Sequence, residues 1–84
     1  MSIRKVSIRQ IKAARALAGW SQERLAEASG VSIPTIKRLE AVDGEVGGRP
    51  ETGDALVAAL EKAGVEFIRE NGGGAGVRMS KRKK

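Results

Sequence analysis

The chain has 84 residues, with 16 Lys and Arg against 10 Asp and Glu, a net charge of +6, and no Cys, His or Tyr. This composition excludes disulfides, thiolate and imidazole metal sites, and every Ser-His or Cys-His nucleophilic arrangement. No apolar run reaches the ~18 residues of a membrane span, and no apolar signal core follows Met1 to Lys5, so a cytoplasmic protein away from any membrane is expected.

The first helix is expected to begin after Ser7. Ser7 and Gln10 are spaced as a capping box, in which each side chain satisfies the other's orphan backbone N–H. Ile8, Ile11, Ala14, Leu17 and Ala18 then follow at helical spacing, with Arg9, Lys12 and Arg15 off that stripe. Gly19 is placed to close the helix in a left-handed cap.

Ser21 caps a second helix over 21–29, with Glu23 in the first turn where the helix dipole favours a carboxylate. Trp20, between the two helices, reads as core. Ser29-Gly30-Val31 forms a tight turn. Ser32 then caps a third helix over 32–42, bonding the N–H of Thr35 because Pro34 has none. Ile36 and Leu39 face inward, and Ile33, Pro34, Lys37 and Arg38 share the opposite side.

Residues 43–51 read as a Gly-rich loop. A fourth helix is expected from about Thr52 to Ala63, carrying Leu56, Ala59, Leu60 and Ala63 at helical spacing and stopping at Gly64. The period then changes. Residues 65–69 read as a strand, 71–76 as a flexible turn and 77–79 as a returning strand. The glycines of 72–76 lack the Lys-Ser/Thr of a phosphate-binding loop, and no helix follows them. Lys81 to Lys84 form a basic tail, either solubilising or clamping a DNA backbone.

Charge is segregated along the chain. Residues 1–20 hold Arg4, Lys5, Arg9, Lys12 and Arg15 with no acid, residues 71–84 hold five bases with no acid, and 45–70 is net acidic. Basic ends of this kind are the footprint of a polyanion partner, with solubility as the alternative explanation.

The helices at 21–29 and 32–42 meet three conditions for a steep crossing. Ala26 is small where the second helix crosses, Gly30 tolerates positive φ, and Ile36 and Leu39 give the second helix an apolar inner face. The stretch QERLAEASGVSIPTIKRLE, Gln22 to Glu40, resembles the helix-turn-helix of the lambda-repressor-like (Xre/Cro-type) family of bacterial and phage regulators. The lead-in IKAARALAGWS, Ile11 to Ser21, resembles that family's first helix, and the end, GVEFIRENGGGAGVRM, resembles the extension of a subgroup of small Xre-like proteins. The loop at 43–51 is longer and richer in glycine than is usual there.

The resemblance implies a mainly α fold: a four-helix lambda-repressor-like DNA-binding domain over 1–64, with a β-hairpin extension over 65–79 and a basic tail over 80–84; the hairpin is a candidate dimer contact, since an exposed strand edge invites pairing. It implies a homodimeric transcriptional regulator, a repressor, that binds double-stranded DNA without a cofactor. By position, Gln22 matches a phosphate-contacting glutamine. Ile33, Pro34 and Arg38 match positions that meet base edges, and Ser32, Thr35 and Lys37 match positions that reach the backbone or groove wall. Arg38 can bond two acceptors on one guanine edge, worth ~1–3 kcal/mol of discrimination, while Ile33 and Pro34 can only pack on a thymine methyl. DNA shape is therefore expected to share in specificity. An antitoxin or adaptor, working chiefly through a protein partner, is the alternative. An enzyme is not expected, since no paired carboxylates are spaced for chemistry.

Overall fold

A computed structural model describes residues 6–42, 50–69 and 72–80. Four helices are followed by a two-stranded antiparallel hairpin, a mainly α architecture. The helices are α1 (Ile8–Ala18), α2 (Gln22–Ser29), α3 (Ile33–Glu40) and α4 (Pro50–Lys62), and the strands are β1 (Val65–Ile68) and β2 (Gly76–Met79).

Each of the first three helices starts where local chemistry places it. The Ser7–Gln10 capping box is complete: the Gln10 N–H donates to Ser7 Oγ at 3.1 Å and the Ser7 N–H to Gln10 Oε1 at 3.0 Å. Gly19 closes α1 at φ 72°, its N–H donating to the Ala16 carbonyl. Ser21 caps α2 through the Arg24 N–H, and Ser32 caps α3 through the Thr35 N–H.

Several boundaries differ from the sequence expectation by one or two residues, α4 ending at Lys62 and β1 at Ile68 among them, and so does one burial. Helix α3 stops at Glu40, and the N–H groups of Ala41 and Val42 turn back to the carbonyls of Arg38 and Leu39. Helix α4 begins at Pro50 rather than Thr52, because a proline at the first helical position has its φ preset and surrenders no hydrogen bond. The return strand starts one residue early, at Gly76. Leu17 is 45 % exposed instead of buried. The rest of the expected loop, 43–49, and the basic tail from Lys81 to Lys84 lie outside the described residues.

The core draws on all four helices and β1. Ile11 and Ala14 of α1, Leu25 of α2, Ile36 of α3, Leu56, Val57, Ala59 and Leu60 of α4 and Val65 of β1 form one buried cluster. A fully buried Leu or Ile contributes about 1.5–3 kcal/mol, so this cluster dominates the favourable side of folding. Helices α2 and α3 pack on each other, α3 also on α1, and α2 on α4, while the hairpin lies on α1 and α4.

The hairpin pairs Val65 with Met79 and Phe67 with Val77 on one face, and Glu66 with Arg78 on the other. Phe67 and Val77 pack against the core. On the outer face the Arg78 guanidinium donates twice to the Glu66 carboxylate, at 3.0 and 3.2 Å. Gln10, 6 % exposed, ties the hairpin to α1: its Nε2 donates to the carbonyls of Ile68 and Gly76. Both amide hydrogens are thereby used, and its oxygen already serves the helix cap.

Candidate nucleic-acid interface

The corner between α2 and α3 is a single left-handed residue. Gly30 has φ 80°, and its N–H donates to the Ala26 carbonyl at 2.9 Å. An added Cβ at Gly30 would meet nothing within 4 Å, so glycine is required by conformation and not by crowding. The Val31 N–H donates to Ser29 Oγ at 3.1 Å, which fixes the residue after the corner.

Helix α3 has two distinct sides. Ile36 is fully buried and Glu40 nearly so, while Leu39 is half-buried against the core. Pro34, Lys37 and Arg38 are exposed on the other side, with Ile33 and Thr35 half-buried at its margins. Ser32, exposed at the cap, donates its hydroxyl to Thr35 Oγ1 at 2.9 Å. Among the described residues, no hydrogen bond or ion pair engages the Lys37 or Arg38 side chain. Both cations lie in the last turn of α3, where the helix dipole favours positive charge.

Gln22, the first residue of α2, joins this surface through Glu40. Its Nε2 donates to Glu40 Oε1 at 2.9 Å. The same carboxylate receives a two-pronged bond from Arg15, Nε to Oε2 at 2.8 Å and Nη2 to Oε1 at 2.7 Å. Arg15 Nη1 also donates to the Trp20 carbonyl at 3.0 Å. One cluster therefore links α1, the α1–α2 junction, α2 and α3.

Electrostatics follow from that geometry. Burial alone would push the Glu40 carboxyl up. The hydrogen bonds from Arg15 and Gln22, with the positive charges of Arg15 and Lys12, outweigh burial and hold it below the ordinary value. The hydrogen bond to Glu40 raises the Arg15 guanidinium in turn. Lys12, exposed one turn before Arg15, thus stands close enough to Glu40 to act on it.

All seven sequence-singled residues, Gln22, Ser32, Ile33, Pro34, Thr35, Lys37 and Arg38, fall on α3, its cap, or the start of α2. Trp20 is half-buried against the core, and the Arg24 guanidinium lies 4.8 Å from its ring centroid. Arg24 also pairs with Glu27 at 3.4 Å. Sequence reasoning missed the partnership of Arg15 with Glu40 and the place of Lys12 beside it. The only local signal was the three-residue spacing of Lys12 and Arg15 on one helix face.

Among the described residues, no group of Asp and Glu is arranged to hold a metal ion, and no helix is long and apolar enough to cross a membrane. No curated protein matches the chain. The family model described as Helix-turn-helix matches residues 11–41, which span Arg15, the Gly30 corner and all of α3. This segment is similar to the helix-turn-helix of lambda-repressor-like, Xre-type DNA-binding regulators.

Proposed function

We propose that this protein is a sequence-specific transcriptional regulator, a repressor, that binds double-stranded DNA as a homodimer and reads the major groove with α3. The observation that carries the reading is the outward side of α3, where Pro34, Lys37 and Arg38 stand exposed and the two cations have no described protein partner. A side chain with a charge and no internal partner is available to an external anion. In this reading Arg38 bonds a guanine edge, and Ile33 and Pro34 pack on base edges. Gln22, Ser32, Thr35 and Lys37 set the helix against the backbone. A two-fold dimer then reads half-sites about 34 Å apart.

The test is duplex selection from a random library, followed by titration of wild type and Arg38→Ala on the selected sequence. The expected result is a loss of ~1–3 kcal/mol for Arg38→Ala with relaxed sequence preference at one position, and a steep fall of affinity with salt. Unchanged binding by the folded variant would sink the assignment of α3 as the reading helix.

A further inference from the structure

We propose that the outer edge of β2 pairs with β2 of a second copy about a two-fold axis at Val77, joining two hairpins into one four-stranded antiparallel sheet. The inference rests on the homodimer of the reading above. It goes further by naming the surface that builds the dimer and the backbone groups that meet there.

Two observations fix the direction of the backbone groups. The Ser80 N–H donates to the Gly64 carbonyl at 2.6 Å, one step beyond the Val65–Met79 pair. Directly opposite residues bond only at hydrogen-bonded pairs, and such pairs alternate along an antiparallel ladder. Glu66 with Arg78 and Ile68 with Gly76 are therefore the next bonded pairs. Gln10 gives the same alternation independently. Its single Nε2 reaches the carbonyls of both Ile68 and Gly76, so those carbonyls turn inward toward each other. The N–H and C=O groups of Val77 and Met79 then point away from β1.

The two edges of the hairpin differ. On β1 the outward groups belong to Val65 and Phe67, and Val65 is buried where β1 packs on α4. On β2, among the described residues, no backbone group outside the hairpin bonds Val77 or Met79. Nothing blunts this edge. Residues 76–79 hold no proline or lysine and pair without a bulge, and their one charge, Arg78, is turned across to Glu66. Met79, on the core side of the hairpin, is 45 % exposed.

A second copy matches this edge. About a two-fold axis at Val77, that residue exchanges both its N–H and its C=O bonds with Val77 of the second copy. Each Arg78 then lies opposite Gly76 of the second copy, which has no side chain to oppose it. Met79 faces Ala75 of the second copy and extends the apolar side of the sheet. An axis at Arg78 would instead set two guanidiniums opposite each other, and like charges so placed destabilise a sheet. The hairpin lies on α1 and α4 while α3 packs on α1 and α2, which puts the pairing edge and the reading helix on different parts of the molecule.

The experiment is sedimentation equilibrium of the full chain as wild type, Met79→Ala and Met79→Pro, with disulfide trapping of Val77→Cys and Arg78→Cys. Proline at 79 removes an outward N–H, which an edge strand tolerates in the monomer. Met79→Ala shortens the side chain and keeps that N–H. Met79→Pro is expected to weaken the dimer about tenfold relative to Met79→Ala, for the bond lost from each copy. The chain has no Cys, so a single introduced thiol links only to its own copy. Val77→Cys is expected to give a covalent dimer, because opposite residues of a hydrogen-bonded pair have Cα atoms ~5.5 Å apart, and Arg78→Cys is not. Equal dimerisation by Met79→Pro and Met79→Ala, or a dimeric Val77→Cys that does not cross-link, would overturn the inference and leave the homodimer standing. Thermal unfolding shows which variants are folded, and trapping decides alone if Met79→Pro is not. A wild type that stays monomeric with and without DNA is a different result, and it would remove the homodimer from the reading itself.

Discussion

The Gln10 side-chain nitrogen donates to the Gly76 carbonyl at 3.0 Å, joining residues 66 positions apart. The same side chain accepts the Ser7 N–H through its oxygen. One amide thus starts α1 and anchors the hairpin. Gln10→Glu separates the two roles. A carboxylate oxygen still accepts from Ser7, but the second oxygen replaces Nε2 and faces the carbonyls of Ile68 and Gly76, which lose their donor. The expected cost is about 2–3 kcal/mol, measured by chemical denaturation. Hydrogen exchange should show β1 and β2 losing protection while α1 keeps its helical amides.

Arg15 and Glu40 predict an asymmetric mutational response. Removing one partner leaves a buried charge uncompensated, so Arg15→Ala should cost about 3 kcal/mol and lower the Tm by more than 10 °C. Replacing both partners with apolar residues of similar size, Arg15→Met with Glu40→Leu, should recover most of that loss. A double variant as unstable as the single one would show that the pair's hydrogen bonds, and not the stranded charge, dominate.

The same pair sets an acid limit. The folded Glu40 carboxyl is held below its ordinary value of 4.5, so the unfolded chain binds the proton more readily. Its contribution is present above the ordinary value and is lost as pH falls through the lowered folded value. Glu66, held low by its hydrogen bonds with Arg78, titrates in the same direction. The Glu40 share is therefore read as the difference between wild type and Arg15→Ala. Denaturation curves across the acid range should converge as pH falls, and parallel curves would contradict the linkage.

Gly30 offers a purely conformational test. A methyl at this position meets no neighbour, so Gly30→Ala carries only the strain of φ 80°. The expected loss is about 1–2 kcal/mol by thermal unfolding, with Gly30→Asn costing less because its side chain tolerates the left-handed region. A neutral alanine there would mean that the corner relaxes to negative φ.

Much of this architecture was legible because its signals are short-range. Ser7 with Gln10, Ser21 with Arg24 and Ser32 with Thr35 are contacts three residues apart, and the glycine stops at 19 and 30 are single-residue properties. The missed features depend on where distant segments meet. Leu17 lies on the apolar stripe of α1, yet burial depends on which distant elements pack against that part of the helix, and it stands exposed. Arg15 looks like one more surface base until α3 brings Glu40 against it from 25 residues away. Gln22 reads as a phosphate ligand by position, but its orientation is set by a side chain at the far end of the next helix. Pro50 reads as part of the Gly-rich loop over 43–51, although the first turn of a helix accepts a proline.

Val65 sits in the same cluster as Leu25 and Ile36, beyond the 11–41 segment that marks the family. Grafting that segment alone onto another scaffold would leave Ile36 and Leu25 without the α4 and β1 neighbours that cover them. An engineer wishing to retarget this protein should therefore alter side chains on the outward turn of α3 in place, and should expect cassette exchange to yield insoluble chains.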